Sequence, residues 1–259
     1  MTKNNTINGN YIAALDIGTS KVVCLIGSIS DSHSIEIVAM GSYPSSGLKK
    51  GVVVNIDATT DAIQKSIEQA KNSFEGKIKN VFVGIAGNHI KSLNSHGIVG
   101  IKDKEVTQLD IEKVIDAAQA VAIPSDQRVL HVLPQEFVID DQDAIREPLG
   151  MSGVRLESHV HLVTCANNAI QNIEKCVKRC GIGIDGFVLE QLASSYSILS
   201  NDEKELGVCI VDIGGGTTDI AIFNNGSICF TGVIPIAGDQ VTSDTVSYTH
   251  LRAHETCTN

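Results

Sequence analysis

One pattern constrains this chain more than any other, because it occurs twice. Residues 12–29, IAALDIGTSKVVCLIGSI, and residues 208–228, VCIVDIGGGTTDIAIFNNGSI, each place an apolar strand before Asp-Ile-Gly, a small-residue turn and a second apolar strand. Glycine weakens a strand interior, so Gly214, Gly215 and Gly216 together behind Asp212 need a reason. A glycine turn between strands lets backbone N–H groups approach an anion with no Cβ in the way. Thr19, Ser20, Thr217 and Thr218 add hydroxyl donors, and Asp16 and Asp212 place a carboxylate at each strand end. A carboxylate beside phosphate suits Mg²⁺, which prefers oxygen ligands and keeps much of its water shell. A second acid, Asp219, lies just beyond the later turn. A single copy reads equally well as a tight hairpin. Two copies with matching flanks point to two loops that clamp a polyphosphate from both sides. Neither copy has the Gly-Lys-Ser/Thr ending of a P-loop.

Composition narrows the function classes. The 259 residues, 42% hydrophobic and 19% charged, suit one large globular domain or two ordinary ones. A net charge of -10 argues against nucleic acid and against lying flat on an anionic membrane. No apolar run approaches the length of a bilayer span, and the polar start MTKNNTINGN lacks a signal-peptide core, so the cytoplasm is the expected compartment. The seven cysteines are scattered without a CxxC pair and read as small buried hydrophobes in a reducing compartment. Cys176 and Cys180 sit four apart on one helix, and His159 and His161 lie on a strand, without the paired spacing of a zinc site.

Along the chain, alternation predicts strands at 11–16, 21–29 and 35–42, then a helix carrying Ile63, Ile67, Ala70 and Phe74. NVFVGIAG, residues 80–87, reads as a buried strand. Residues 88–160 change character. VTQLDIEKVIDAAQAVAI is an amphipathic helix with a capping box from Thr107 and Asp110, RVLHVLPQEFVID is one or two strands, and a loop then leads into another strand. From 162 the α/β pattern resumes, with strand HLVTCA, a helix stopped by Gly181, and GFVLEQLASSYSILS as strand into helix. NDEKELG reads as a polar linker and domain boundary. After it come the second loop, an NNGS hairpin turn and a strand ending near Pro235.

These residues together resemble the actin, sugar-kinase and heat-shock chaperone ATPase superfamily. Within it the chain is similar to the FtsA family of bacterial cell-division actin homologues. LDIGTSKV resembles the first phosphate loop and VDIGGGTTDIA the second. SGLKKGVVVNIDATTDAI, RVLHVLPQEFVID, PLGMSGVRLESHVHLVT and LASSYSIL followed by ELGVCIVDIGGG resemble stretches specific to that family, and the likeness covers about residues 10–244. The resemblance implies an α/β fold of the actin-like ATPase (ribonuclease H-like) type with an α+β insert and an incomplete second lobe. Residues 10–87 with 162–205 would form subdomain 1A, 88–161 the interaction subdomain 1C, and 206–244 the start of subdomain 2A. ATP with Mg²⁺ is the implied cofactor. Gly18, Thr19, Ser20 and Lys21 are implied as first-loop phosphate contacts, and Gly214, Gly215, Gly216 and Thr217 as second-loop contacts. Asp16 and Asp212 are implied as the carboxylates that hold Mg²⁺, largely through water. Lys21 reads alternatively as a solvated strand lysine. Asn168 is either a water-orienting side chain or an ordinary first-turn residue, and Glu190 is either near the site or a helix-start acid.

The family implies assembly into filaments, a weak Mg-ATPase at most, a link between FtsZ and the inner membrane at the division septum, and recruitment of later division proteins through residues 88–161. A pilus-assembly or chaperone-type relative and a small-molecule kinase are the alternatives, and the insert shows no convergent polar set for a sugar. Beyond Asp244 the pattern departs. TVSYTHLRAHETCTN shows no helical stripe, and residues 245–259 read as a foreign tail. The adenosine-binding glycine motif, the FtsZ-binding face and the membrane helix of the family are not in these residues. The chain as written is therefore expected to bind ATP weakly.

Overall fold

Alternation of buried and open positions builds the central sheet, in a computed structural model that describes residues 11–30 and 34–255, with side chains through 248. The polar start, the extreme tail and Cys257 lie outside the described residues. Strands β1 (Tyr11–Ile17), β2 (Lys21–Ile29) and β3 (Ile35–Pro44) form an antiparallel meander. On β1, Ala13, Leu15 and Ile17 are buried in the core, whereas Asp16 points to the other face. A small hairpin of β4 (Leu48–Lys49) and β5 (Val52–Val53) leads into helix α1 (Ile56–Lys71). Asn55 caps α1 by accepting from the Ala58 amide at 3.0 Å, and Ala62, Ile63, Ile67 and Ala70 form its buried stripe. Strand β6 (Asn80–Ile85) pairs in parallel with β1.

The chain then forms a second sheet. Strand β7 (Ile90–Gly100), helix α2 (Gln108–Gln119), β8 (Gln127–Ile139), β9 (Gln142–Ile145) and β10 (Arg155–Ala166) give strand order β7-β10-β8-β9. The Thr107–Asp110 capping box forms as expected. RVLHVLPQEFVID forms one strand up to Ile139, with Asp140 in the turn that follows and a register shift opposite His159 and Val160 that accommodates Pro134. HLVTCA does not join the central sheet. It continues β10, and its Val163 and Cys165 reach the central core from the insert side.

Helix α3 (Asn167–Arg179) ends at Gly181, whose φ of +73° is the left-handed stop expected there. Strand β11 (Gly183–Leu189) completes the five-stranded order β11-β6-β1-β2-β3, and α4 (Glu190–Ile198) follows directly. NDEKELG is no linker. It folds as α5 (Asn201–Leu206), because Ser200 and Glu203 form a capping box that satisfies its first turn. Strands β12 (Val208–Ile213), β13 (Thr218–Asn224) and β14 (Ser227–Ile234) make a three-stranded antiparallel sheet, and α6 (Gly238–Glu255) closes the described chain. Helix α6 runs through residues in which no helical stripe was expected. Cys24, Cys165 and Cys176 are buried as anticipated, but Cys209 is exposed, on the open side of edge strand β12.

Helices meet sheets at two glycines. A Cβ on Gly41 of β3 would stand 1.9 Å from the Ser66 carbonyl of α1, and one on Gly97 of β7 would stand 2.3 Å from the Val114 carbonyl of α2. Backbone-to-backbone seating of this kind leaves no room for a methyl group. Gly41→Ala is expected to destabilise the chain by roughly 1–3 kcal/mol, the usual cost of overpacking. Denaturant unfolding checks this, and wild-type stability in the variant would refute the seating.

Candidate phosphate-binding cleft

Both Asp-Ile-Gly turns fold as the same four-residue hairpin. The Gly18 amide donates to the Lys21 carbonyl at 3.0 Å, and the Gly214 amide donates to the Thr217 carbonyl at 2.9 Å. The first turn joins β1 to β2 and the second joins β12 to β13, and the two face each other across a cleft of about 320 Å³. Asp16, Gly18, Thr19, Ser20, Lys21, Asp212, Gly214, Gly215, Gly216 and Thr217 all line this cleft, so the structure gathers them as expected from the sequence. Asn168 is not among the lining residues. It sits exposed on the first turn of α3.

The glycines of the second loop serve close approach rather than unusual torsion, since none of the three has positive φ. A Cβ on Gly215 would fall 1.9 Å from Ser20 Oγ, and one on Gly216 would fall 2.8 Å from Thr19 Oγ1. The hydroxyls of one loop thus press against the bare backbone of the other. Helix α6 braces the second loop from behind, where the Gly238 and Asp239 amides donate to the Gly214 and Gly215 carbonyls at 3.1 and 3.0 Å.

Two further acids complete the cleft. Glu190 starts α4 directly after β11, and Gly84 on β6 leaves the space it fills: a Cβ there would be 3.2 Å from Glu190 Oε1. Asp219 stands directly across the β12–β13 ladder from Asp212, a like-charge pair that opposes the hairpin unless something offsets it. Part of the offset comes from the Gln191 side-chain amide, which donates to Asp219 Oδ1 at 2.9 Å. Thr217 and the Gly87 amide also act to lower the pKa of the same carboxylate. Gln191 Oε1 is buried without a partner.

The electrostatics follow from this crowding. Burial, reinforced by Asp16, Asp219 and Asp212, pushes the Glu190 carboxyl up to about 8. Burial likewise raises Asp219 to about 6 against the pull of its hydrogen bonds, with Asp212 adding to the rise. Asp16 keeps solvent access through the cleft mouth, yet the protein around it still raises its pKa, with Lys21 opposing and Asp212 adding. Among the described residues Lys21 is the sole cation lining the cleft, against four carboxyl groups. Among the described residues no three His, Cys, Asp or Glu side chains are placed to hold a metal ion by themselves. The all-oxygen donor set therefore fits Mg²⁺ held partly through water and phosphate, a cation that would relieve the carboxylate repulsion.

Glu190 and Gln191 carried only a weak signal in the sequence, two polar residues inside the apolar run LEQLA. Asp219 was visible as an acid, but its pairing with Asp212 is a matter of register. The raised Glu190 carboxyl carries a pH signature. It takes up its proton more readily folded than unfolded, so its contribution is fully present below about pH 4.5 and is lost as pH rises to about 8. Glu190→Gln is expected to flatten that fall and to make the chain more stable than wild type at the alkaline end. Thermal melts across this window check it, and parallel wild-type and variant curves would refute it.

Comparisons with known proteins agree with the fold and narrow the family. Residues 87–164 match the SHS2 domain inserted in FtsA, and residues 209–255 match the model of cell division protein FtsA, which reaches into the segment expected to be foreign. The chain is 65% identical to cell division protein FtsA of Pseudomonas aeruginosa over 237 residues, covering 92% of this chain and 57% of that protein. It is 46% identical to the Escherichia coli K12 protein of the same name, covering 90% of this chain and 56% of the relative. The chain thus spans little more than half the length of these relatives. A chain of the PilM-PilN type IV pilus biogenesis complex superposes with TM-score 0.66 at 15% identity, over 90% of this chain and 63% of that one. Ethanolamine utilization protein EutJ from Carboxydothermus hydrogenoformans superposes with TM-score 0.51 at 15% identity, over 90% and 55%. The fold is of the actin-like ATPase class. On these sequence matches the chain belongs to the family of cell division protein FtsA.

Proposed function

We propose that this chain provides the phosphate-binding half of an ATP site in a cell-division protein, and that nucleotide held there governs assembly more than turnover. One observation carries this: two hairpin turns of the same hydrogen-bonding pattern face each other across a cleft edged with carboxylates. Backbone amides of both loops, with the Thr19, Ser20 and Thr217 hydroxyls, would hold the phosphate chain. Lys21 would neutralise part of its charge. Asp16 and Asp212 would hold Mg²⁺ through water, and the ion would supply the remaining neutralisation of the phosphates. Asp219, fixed by Gln191, and the largely protonated Glu190 are the groups placed to hold or orient a water beside the phosphates. Hydrolysis through them is slow at most in this proposal.

In the full-length relatives' context, residues 88–161 would meet later division proteins, and the lobes would stack into filaments. FtsZ and the inner membrane at the septum would be the further partners of such a protein. No helix of the described residues is long and apolar enough to cross a membrane.

The test uses magnesium tripolyphosphate, which presents the phosphates without the adenosine. It is expected to raise the melting temperature in a concentration-dependent way, as any ligand of the folded state does. Asp16→Asn with Asp212→Asn is expected to abolish the magnesium dependence of that rise. An unchanged melting temperature in wild type at saturating tripolyphosphate would overturn the assignment.

A further inference from the structure

We propose that the turn of the β4–β5 hairpin forms a third wall of the phosphate cleft, with Lys50 as a second phosphate-neutralising cation and the Gly51 amide as the group that aims the Thr19 hydroxyl. This rests on the phosphate-binding function proposed above and adds residues outside the two Asp-Ile-Gly loops.

Four observations carry it. First, the Gly51 amide donates to Thr19 Oγ1 at 3.1 Å. A hydroxyl that accepts from an amide has its own proton free to donate, and an anion bound in the cleft that Thr19 lines would be an acceptor for it. Second, the hairpin tip is pressed into the site from both sides. A Cβ on Gly216 would stand 3.2 Å from Lys50 Cα, and one on Gly51 would stand 2.7 Å from the Ala86 carbonyl and 2.8 Å from Gly87 Cα. Gly87 follows β6 of the first sheet and Gly216 belongs to the second loop, so the tip touches both halves of the cleft wall. Third, the turn has defined geometry. Lys50 and Gly51 have φ of +52° and +75°, the left-handed pair of a type I′ turn, which holds the Lys50 backbone at one place. Fourth, a cavity of about 280 Å³ adjoins the phosphate cleft, and Thr19, Gly215 and Gly216 line both. Lys49, Lys50 and Asp239 also line that cavity. Neither lysine forms an ion pair among the described residues, and both are exposed at its rim.

Charge makes the role specific. Beside the largely protonated Glu190 the phosphate cleft carries Asp16, Asp212, Asp219 and one lysine, so Lys21 and one Mg²⁺ would do little more than balance the carboxylates, and a bound polyanion would gain from a further cation. Lys50 is the neighbouring cation whose backbone is already in contact with the second loop.

The test titrates magnesium tripolyphosphate into the full chain by calorimetry at two salt concentrations. The variants are Lys50→Asn and Lys50→Arg. Asparagine tolerates the left-handed backbone and favours this turn, so Lys50→Asn removes the charge while keeping the hairpin. Lys50→Asn is expected to weaken binding about tenfold, the scale of one charge-assisted contact, and to reduce its salt dependence. Lys50→Arg is expected to stay close to wild type. Thr19→Val is expected to weaken binding, with Thr19→Ser restoring it. Wild-type binding with an unchanged affinity and salt slope in Lys50→Asn would overturn this inference and leave the cleft assignment standing. Absence of binding in wild type would overturn both.

Discussion

The structure turns on an approach that side chains would forbid. Two hairpins from separate sheets meet so closely that Ser20 Oγ and Thr19 Oγ1 occupy the places where Cβ atoms of Gly215 and Gly216 would be. Everything that makes the cleft depends on that contact. It brings Asp16 toward Asp212, and it sets the backbone of the second loop against the Lys50 turn. It also sets the backbones of the two loops along one cleft. The approach has an electrostatic cost. Asp212 and Asp219 face each other across a ladder, with Glu190 and Asp16 nearby, and burial, reinforced by the neighbouring carboxylates, raises the proton affinities of Asp16, Glu190 and Asp219. A site so arranged holds carboxylate repulsion that a bound cation would relieve.

The insert is tied to the same lobe through the edge of its sheet. Strand β14 would present unpaired carbonyls on its outer side, but the insert caps them. Gln135 donates to the Ile228 carbonyl at 2.9 Å, Asn94 to that of Cys229 at 3.2 Å and Ser92 to that of Thr231 at 3.1 Å. His161, buried and held by desolvation at about 4, bridges Asn94 and the Thr231 hydroxyl as a neutral ring. Arg146 at the end of β9 reaches Glu205 and the Asn225 carbonyl at the β13–β14 turn. An edge covered by polar side chains is protected from pairing with other strands, and it couples the insert to the hairpin that follows the second loop.

Much of this was legible in the sequence, for reasons that are local. The two loops, the Thr107–Asp110 box, the Gly181 stop and the apolar stripe of α1 each depend on residues within a few positions of one another. The same locality explains the misses. NDEKELG reads as linker by composition, whereas Ser200 and Glu203 cap a short helix. HLVTCA is strand in either setting, and only pairing with β7 and β8 assigns it to the insert. Asn168 had a plausible place by resemblance, and the structure leaves it on the exposed side of α3.

The sequence by itself determined that two glycine turns with strand-end aspartates would exist, which donor and acceptor groups they carry, and which family their surroundings resemble. Those properties lie in residue type and short spacing. Tertiary structure alone decided that Glu190, Gln191 and Asp219 join Asp16 and Asp212, that Asn168 does not, and that the Lys50 turn reaches Thr19. Sheet register and the packing of separate layers bring these residues together across long stretches of chain, and neither periodicity nor composition records such distances.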